Sequence, residues 1–354
     1  MSARTYRVAA IPGDGIGREV IPAGMRVLDE VSRRHGFGLI WQLFPWSADY
    51  YRAHGRMMPA DGLAALSAVD AIYLGAVGDP GVPDHVTLHG LLLPIRRGFD
   101  QYACVRPARS FGGVPSPLAR QPAIDLVVVR ENTEGEYADV GGGVYAGTRD
   151  EVVVQSGVFT RRGTERVIRF AFDLARRRNR KGLLTSVTKS NAQGFSMAFW
   201  DRVFADVARD YPDIRTESLL VDAACMDLVR RPETFDVIVA SNLFGDILTD
   251  LSAAITGSLG LAPSANLNPD RTFPSMFEPV HGSAPDIAGR GVANPMAAML
   301  AGGMMLEFLG QPEAARSLEG AVIGVLAEGQ VVARDLGGTA GTADVTEAVL
   351  GSLR

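Results

Sequence analysis

Asp246 and Asp250 stand four positions apart in Asn242-Leu243-Phe244-Gly245-Asp246-Ile247-Leu248-Thr249-Asp250, which places both carboxylates on one face if the segment is helical. Like charges so placed repel by roughly 0.2–0.5 kcal/mol even in water. A hard divalent cation bound between them would convert that repulsion into coordination; a solvated acidic face accounts for the spacing equally well. Arg96, Arg106 and Arg130 each fall where a predicted segment begins or ends. Strand ends are where α/β sheets place ligands, and a guanidinium grips a carboxylate through paired N–H donors. The phrase Arg130-Glu131-Asn132-Thr133-Glu134-Gly135-Glu136-Tyr137 sets a phenol close to one of them, a proton donor beside a carboxylate clamp. Taken singly, each arginine reads as an ordinary surface ion pair.

A third stretch runs Phe277-Glu278-Pro279-Val280-His281-Gly282-Ser283-Ala284-Pro285-Asp286, followed by Asn294-Pro295. Small residues there let backbone approach a flat ligand, and an acidic side chain can accept from a ribose diol; composition alone favours a plain turn. Gly13-Asp14-Gly15-Ile16-Gly17 has the spacing G-x-G-x-G rather than the G-x-G-x-x-G of a Rossmann fingerprint. It is read as a tight turn into a helix at least as readily as a cofactor contact, although backbone close to a ligand would also explain so much glycine.

Alternating short apolar runs and helical periods supply the frame for these residues. Strands are expected over 7–12, 71–75, 124–129, 182–187 and 235–240, and a helix over 18–34. A helix over 165–175 is expected to be closed by the basic run 176–181 and capped at Gly182, so that run is not a nucleic-acid patch. Residues 136–155, with Gly141-Gly142-Gly143, look like a protruding hairpin that needs a partner surface. The weakly polar stretch 295–309 is too short to cross a membrane and reads as a buried helix.

The chain has 354 residues, more than one core comfortably accommodates, so two domains are expected. With 47% hydrophobic and 21% charged residues, it has the composition of a well-buried α/β enzyme. A formal net charge of −5 creates no global attraction for nucleic acid or anionic lipid. Cys104 and Cys225 have no metal-ligand or framework spacing and read as reduced core thiols. The short apolar run 8–11 is far less than an export signal, and a cytoplasmic location is expected.

Together these phrases resemble the β-hydroxyacid oxidative decarboxylases, the family of isocitrate, 3-isopropylmalate, homoisocitrate and tartrate/D-malate dehydrogenases. The likeness runs in unbroken order from Ile11 to about Leu309. Pro83-Asp84-His85-Val86-Thr87-Leu88, Arg97 to Tyr102, Thr188-Lys189-Ser190-Asn191 and Ala262 to Pro269 look most like the tartrate/D-malate subgroup. His89 stands where that subgroup has tryptophan, and Ala192-Gln193 where a glycine is usual.

The resemblance implies an open α/β sheet, not a Rossmann fold. It implies a discontinuous large domain (1–101 and 257–354), a small domain (102–256) and a dimer-forming arm at about 136–156. It further implies Tyr137 and Lys189 as the acid/base pair, Arg96, Arg106 and Arg130 with Leu92 around the substrate, and Asp222, Asp246 and Asp250 on Mg²⁺ or Mn²⁺. His281, Gly282, Ser283, Ala284, Asp286 and Asn294 would bind the adenosine end of NAD, and a monovalent cation is a further candidate cofactor. Lys189 and Asp222 would enter the site of the other subunit of a homodimer. The implied reaction oxidises and decarboxylates a small 2-hydroxy dicarboxylate, D-malate to pyruvate and CO₂ or tartrate. Two rivals stand beside it. One is 3-isopropylmalate oxidation, with Leu92 and Leu93 packing an isopropyl group; the other is a non-catalytic regulatory homologue, which predicts gaps in the acid/base or metal set.

Overall fold

The computed structural model describes residues 4–354. Ten of its twelve strands form one sheet. In chain order the strands are β1 (Thr5–Gly13), β2 (Gly38–Leu43), β3 (Ala71–Ala76), β4 (Ala103–Arg109), β5 (Asp125–Glu131), β6 (Gly141–Val144), β7 (Val152–Gln155), β8 (Leu183–Thr188), β9 (Arg215–Leu220), β10 (Val237–Ala240), β11 (Pro263–Leu267) and β12 (Ser275–Pro279). The sheet order is β2-β1-β3-β12-β11-β4-β5-β10-β8-β9. β2, β1, β3 and β12 are mutually parallel, as are β5, β10, β8 and β9. The antiparallel pairs β12/β11, β11/β4 and β4/β5 join these two blocks and make them run in opposite senses. The order is not that of a doubly wound dinucleotide-binding sheet.

β3 (Ala-Ile-Tyr-Leu-Gly-Ala) and β10 (Val-Ile-Val-Ala) are buried along their whole length because helices cover both faces, which is why their sequences are continuous apolar runs. Helix Gly17–His35 turns Val20, Ile21, Val27, Leu28 and Val31 inward, each fully buried side chain contributing roughly 1.5–3 kcal/mol. It packs on helix Met296–Phe308, the stretch expected to be a buried helix, whose residues are buried almost all round. One core joins these terminal helices, and a second gathers residues 102–255 around Trp200, whose Nε1 donates to Ser186 Oγ at 3.0 Å. No described helix is long and apolar enough to cross a membrane.

Two expectations need correction. The helix expected over 165–175 spans Arg161–Arg178, and its left-handed cap is Asn179 (φ 46°), which donates to Ala175 O, not Gly182. The arginines extend the helix because they are good helix formers with acidic partners: Arg176 pairs with Asp213, and Arg178 with Asp125 and Asp236. Cys104 is a free, buried thiol, but Cys225 is free and only partly buried. The segment 136–155 does contain a hairpin, β6 paired antiparallel with β7, and every residue of both strands is exposed.

Candidate functional site

The site is built where the two parallel blocks meet. β4 and β5 pair with Cys104 opposite Arg130 and Arg106 opposite Val128, so the pleat sends Arg106 and Arg130 to one face. Both arginines lie inside their strands rather than at the ends, a correction to the sequence expectation. Helix Asn242–Ile255 lies on that face. A Cβ at Gly245 would come within 2.6 Å of Arg130 Cβ, so a glycine is required for the helix to sit this close.

One turn of that helix receives both guanidiniums. Arg130 donates to Asp246 Oδ1 and, through Nε, to Asn242 Oδ1 at 2.9 Å. Arg106 donates to the same Asp246 oxygen at 3.2 Å and to Thr249 Oγ1 at 2.7 Å. The Tyr137 hydroxyl donates to Asp246 Oδ2 at 2.6 Å, with its ring under Arg130. Burial pushes the Asp246 pKa up, but Arg130, Arg106 and the phenol outweigh it, and the carboxyl is held below its ordinary value. Tyr137 is raised by burial and by that hydrogen bond to Asp246, which keeps its proton in place. Asp250, one turn on, is exposed as a residue, yet partial burial of its carboxyl and the Asp246 charge raise its pKa.

Arg96, on helix Leu93–Gly98, donates to Glu278 Oε1 at 2.8 Å, and both side chains are buried. Its Nε is buried without any partner. Such an orphan donor costs about 1–3 kcal/mol, a deficit that an incoming carboxylate would remove. A cavity of about 300 Å³ joins Arg96, Arg106, Arg130, Tyr137, Asp246 and Leu92 to His281 and Gly282. Leu92 reaches it from a π-helical turn, Leu88–Leu92. Leu93 instead turns into the core, 3% exposed, so the expected pair of leucines around an isopropyl group is reduced to one. A larger cavity, about 730 Å³, between helices Arg161–Arg178 and Met296–Phe308, contains none of the predicted site residues.

The candidate cofactor loop lies against the N-terminal glycine turn. Ile16 N donates to Ser283 O at 2.8 Å, and a Cβ at Gly15 (φ 52°) would fall 1.9 Å from that oxygen. The Nδ1–H of His281 is bonded to Gly282 O at 3.0 Å, leaving Nε2 buried and unpartnered. Burial holds the ring's pKa below its ordinary value, so Nε2 of the neutral ring is a buried acceptor without a partner. Ser283 and Asn294 are buried, Ala284 is partly buried with φ 40°, and Asp286 is exposed. Asn294 Nδ2 donates to Asp335 at 3.2 Å.

Lys189 and Asp222 do not join this cavity within the chain. Lys189 Nζ meets Asp222 Oδ1 at 2.5 Å, with the two side chains 27% and 64% exposed. Among the described residues no three metal-ligating side chains cluster. Asp246 and Asp250 are hard oxygen donors of the kind a divalent ion takes.

Three site residues were missed at the sequence level. Glu278 and Asp335 were passed over because their partners, Arg96 and Asn294, are far away along the chain. Glu131 follows Arg130 directly; it is fully buried and its pKa is pushed up to about 7, chiefly by burial, although it accepts from Thr133 N and Glu134 N. It ties down the turn that leads to Tyr137. Because the folded pKa exceeds the unfolded value, folding retains this proton, and the group's contribution to stability falls as pH rises from about 4.5 to about 7. The stability of the native protein relative to Glu131→Gln should therefore fall, by on the order of 3 kcal/mol, between pH 4.5 and pH 8. Denaturant titrations at both pH values check this, and a pH-independent difference contradicts it.

The sequence model described as isocitrate/isopropylmalate dehydrogenase matches residues 7–349. D-malate dehydrogenase (decarboxylating) of Escherichia coli K12 is 54% identical over 98% of this chain and 98% of its own length. The tartrate dehydrogenase/decarboxylase of Pseudomonas putida is 51% identical over 100% and 99%. The crystal structure of isocitrate dehydrogenase from Methylococcus capsulatus is similar with a TM-score of 0.89 and 38% identity, covering 99% of both chains.

Proposed function

Since the chain belongs to the isocitrate/isopropylmalate dehydrogenase family, we propose that it oxidises and decarboxylates a small 2-hydroxy dicarboxylate with NAD, D-malate or tartrate. One observation carries this reading beyond family membership. Three buried arginines and a protonated phenol converge on one small cavity, where Arg96 Nε lacks an acceptor. The names of the relatives, D-malate and tartrate dehydrogenases that decarboxylate, support the same substrate class. The regulatory rival predicted gaps in the acid/base and metal set, and Tyr137, Lys189, Asp222, Asp246 and Asp250 are all present.

Enzymes of this family generally use NAD(P) and a divalent metal. NAD is favoured here because the Asp286 carboxylate, at the ribose end of the loop, would repel a 2′-phosphate. Asp246 and Asp250, with Asp222 from a second copy of the chain, would hold Mg²⁺ or Mn²⁺. The ion supplies Lewis acidity that eases ionisation of the substrate hydroxyl. A monovalent cation is a further candidate. Arg96, Arg106 and Arg130 hold the substrate carboxylates and so orient C2, and a bound NAD would supply the hydride acceptor for its oxidation. Lys189 of the second copy takes the hydroxyl proton. The resulting 2-oxo diacid loses CO₂ as its C–C bond breaks, and Tyr137 gives its proton to C3 of the enolate left behind.

A homodimer with shared sites fits the solvent position of Lys189 and Asp222. The exposed hairpin, with Val144, Val152, Val153 and Val154 all more than half exposed, suits an arm that another subunit covers. The core around Trp200, built wholly from residues 102–255, supports a division into a large domain (1–101 and 257–354) and a small one (102–256), although Val105 and Val127 belong to the other core. Two unpaired cysteines suit a reducing, cytoplasmic setting.

The test is a substrate panel of D-malate, tartrate and 3-isopropylmalate with NAD and NADP, in Mg²⁺ and Mn²⁺. NADH and CO₂ should form from D-malate or tartrate, with kcat/KM at least about tenfold above that for 3-isopropylmalate. No nucleotide reduction with any 2-hydroxy diacid would reject the proposal.

A further inference from the structure

We propose that Arg97 is a positioning residue for Tyr137, holding the proton donor in place during decarboxylation; the inference rests on the function proposed above. Neighbouring residues of helix Leu93–Gly98 face two tasks. Arg96 reaches into the cavity, and Arg97 Nη2 donates to the backbone carbonyl of Tyr137 at 2.6 Å. Among the described residues Arg97 forms no ion pair, so its guanidinium is committed to that carbonyl. Charge-assisted bonds of this kind are stronger than neutral ones.

Both sides of this contact are anchored, but Tyr137 itself is not. The helix end is fixed by Gln101 N on Arg96 O at 2.8 Å and by Asn268 Nδ2 on Phe99 O at 3.1 Å. Ahead of the tyrosine, Asn242 holds Glu134 O at 3.0 Å and Ser241 holds Glu136 at 2.7 Å. Beyond it, Gln155 holds Ala138 O at 2.9 Å. For Tyr137 the described hydrogen bonds are two: its hydroxyl to Asp246, and its carbonyl from Arg97. The first must break for the hydroxyl to deliver its proton to substrate. During that movement the Arg97 bond is the one described hydrogen bond left to the residue, beside the contact of its ring with Arg130, and a displacement of about 1 Å at such a moment costs on the order of 10²-fold in rate.

Arg97→Met and Arg97→Lys separate this role from a merely structural one. Two partial reactions are measured on the full-length enzyme: single-turnover NADH formation from the hydroxy diacid, and CO₂ release from the corresponding 2-oxo diacid supplied directly. The methionine variant should lose about tenfold or more in CO₂ release, change less than about threefold in NADH formation, and release oxo diacid that still carries its carboxylate. The lysine variant, which still reaches a carbonyl with a charged donor, should recover most of the loss. Equal losses in both partial reactions, no loss in either, or no recovery with lysine in variants with native melting curves overturn the inference. If the methionine variant does not fold, Arg97→Gln takes its place: a CO₂-release rate below native with NADH formation unchanged supports the role, and any other pattern rejects it. A native enzyme that releases no CO₂ from any 2-oxo diacid instead rejects the proposed function, and the inference falls with it.

Discussion

Hybrid dimers of one Lys189→Met chain and one Asp246→Asn chain, isolated through two affinity tags, are expected to show about half the wild-type turnover, although each variant alone loses about 10³-fold or more. The arithmetic follows from a shared site. In the hybrid, the Asp246 of the first chain meets the Lys189 of the second and forms one intact site, while the other site carries both lesions. The structural basis is that Lys189 and Asp222 bind each other at the surface, away from the cavity that contains Asp246. Hybrids as inactive as the parent variants would place Lys189 in the site of its own chain and end the shared-site reading.

Tyr137→Phe should slow CO₂ release from a supplied 2-oxo diacid by about 10²–10⁴-fold, the usual value of a positioned acid, while hydride transfer in a single turnover falls far less. The hydroxyl is bonded to Asp246 and its pKa is raised, so it is a protonated donor at neutral pH. The substitution removes one oxygen and keeps the ring under Arg130, so the arginine's packing survives. Equal effects on both partial reactions would remove Tyr137 from the decarboxylation step.

Much of the frame was legible because its signals are local. The apolar runs of β3 and β10 and the period of helix Gly17–His35 follow from burial on defined faces. The pair Asp246/Asp250 was visible because helical spacing is a local rule. The sharing of Asp246 between Arg106, Arg130 and Tyr137 was not, since it depends on pairing strands whose order in the sheet differs from their order in the chain. Glu278 escaped for the same reason: it lies on β12, and its partners Arg96, on helix Leu93–Gly98, and Asn266, on β11, reach it only through the fold. The misplaced helix cap has another cause. A glycine is the commonest left-handed cap, and here asparagine arrives first, at residue 179.

The bare β6/β7 ribbon also bears on how the protein is made. A lone two-stranded hairpin is marginal in water, and its row of outward valines can stick to any similar edge. If a second subunit covers this ribbon as proposed, a newly synthesised chain presents it bare first, and its burial competes with clumping for as long as it stays uncovered. Expression yield should be governed by that race more than by the stability of the finished sheet.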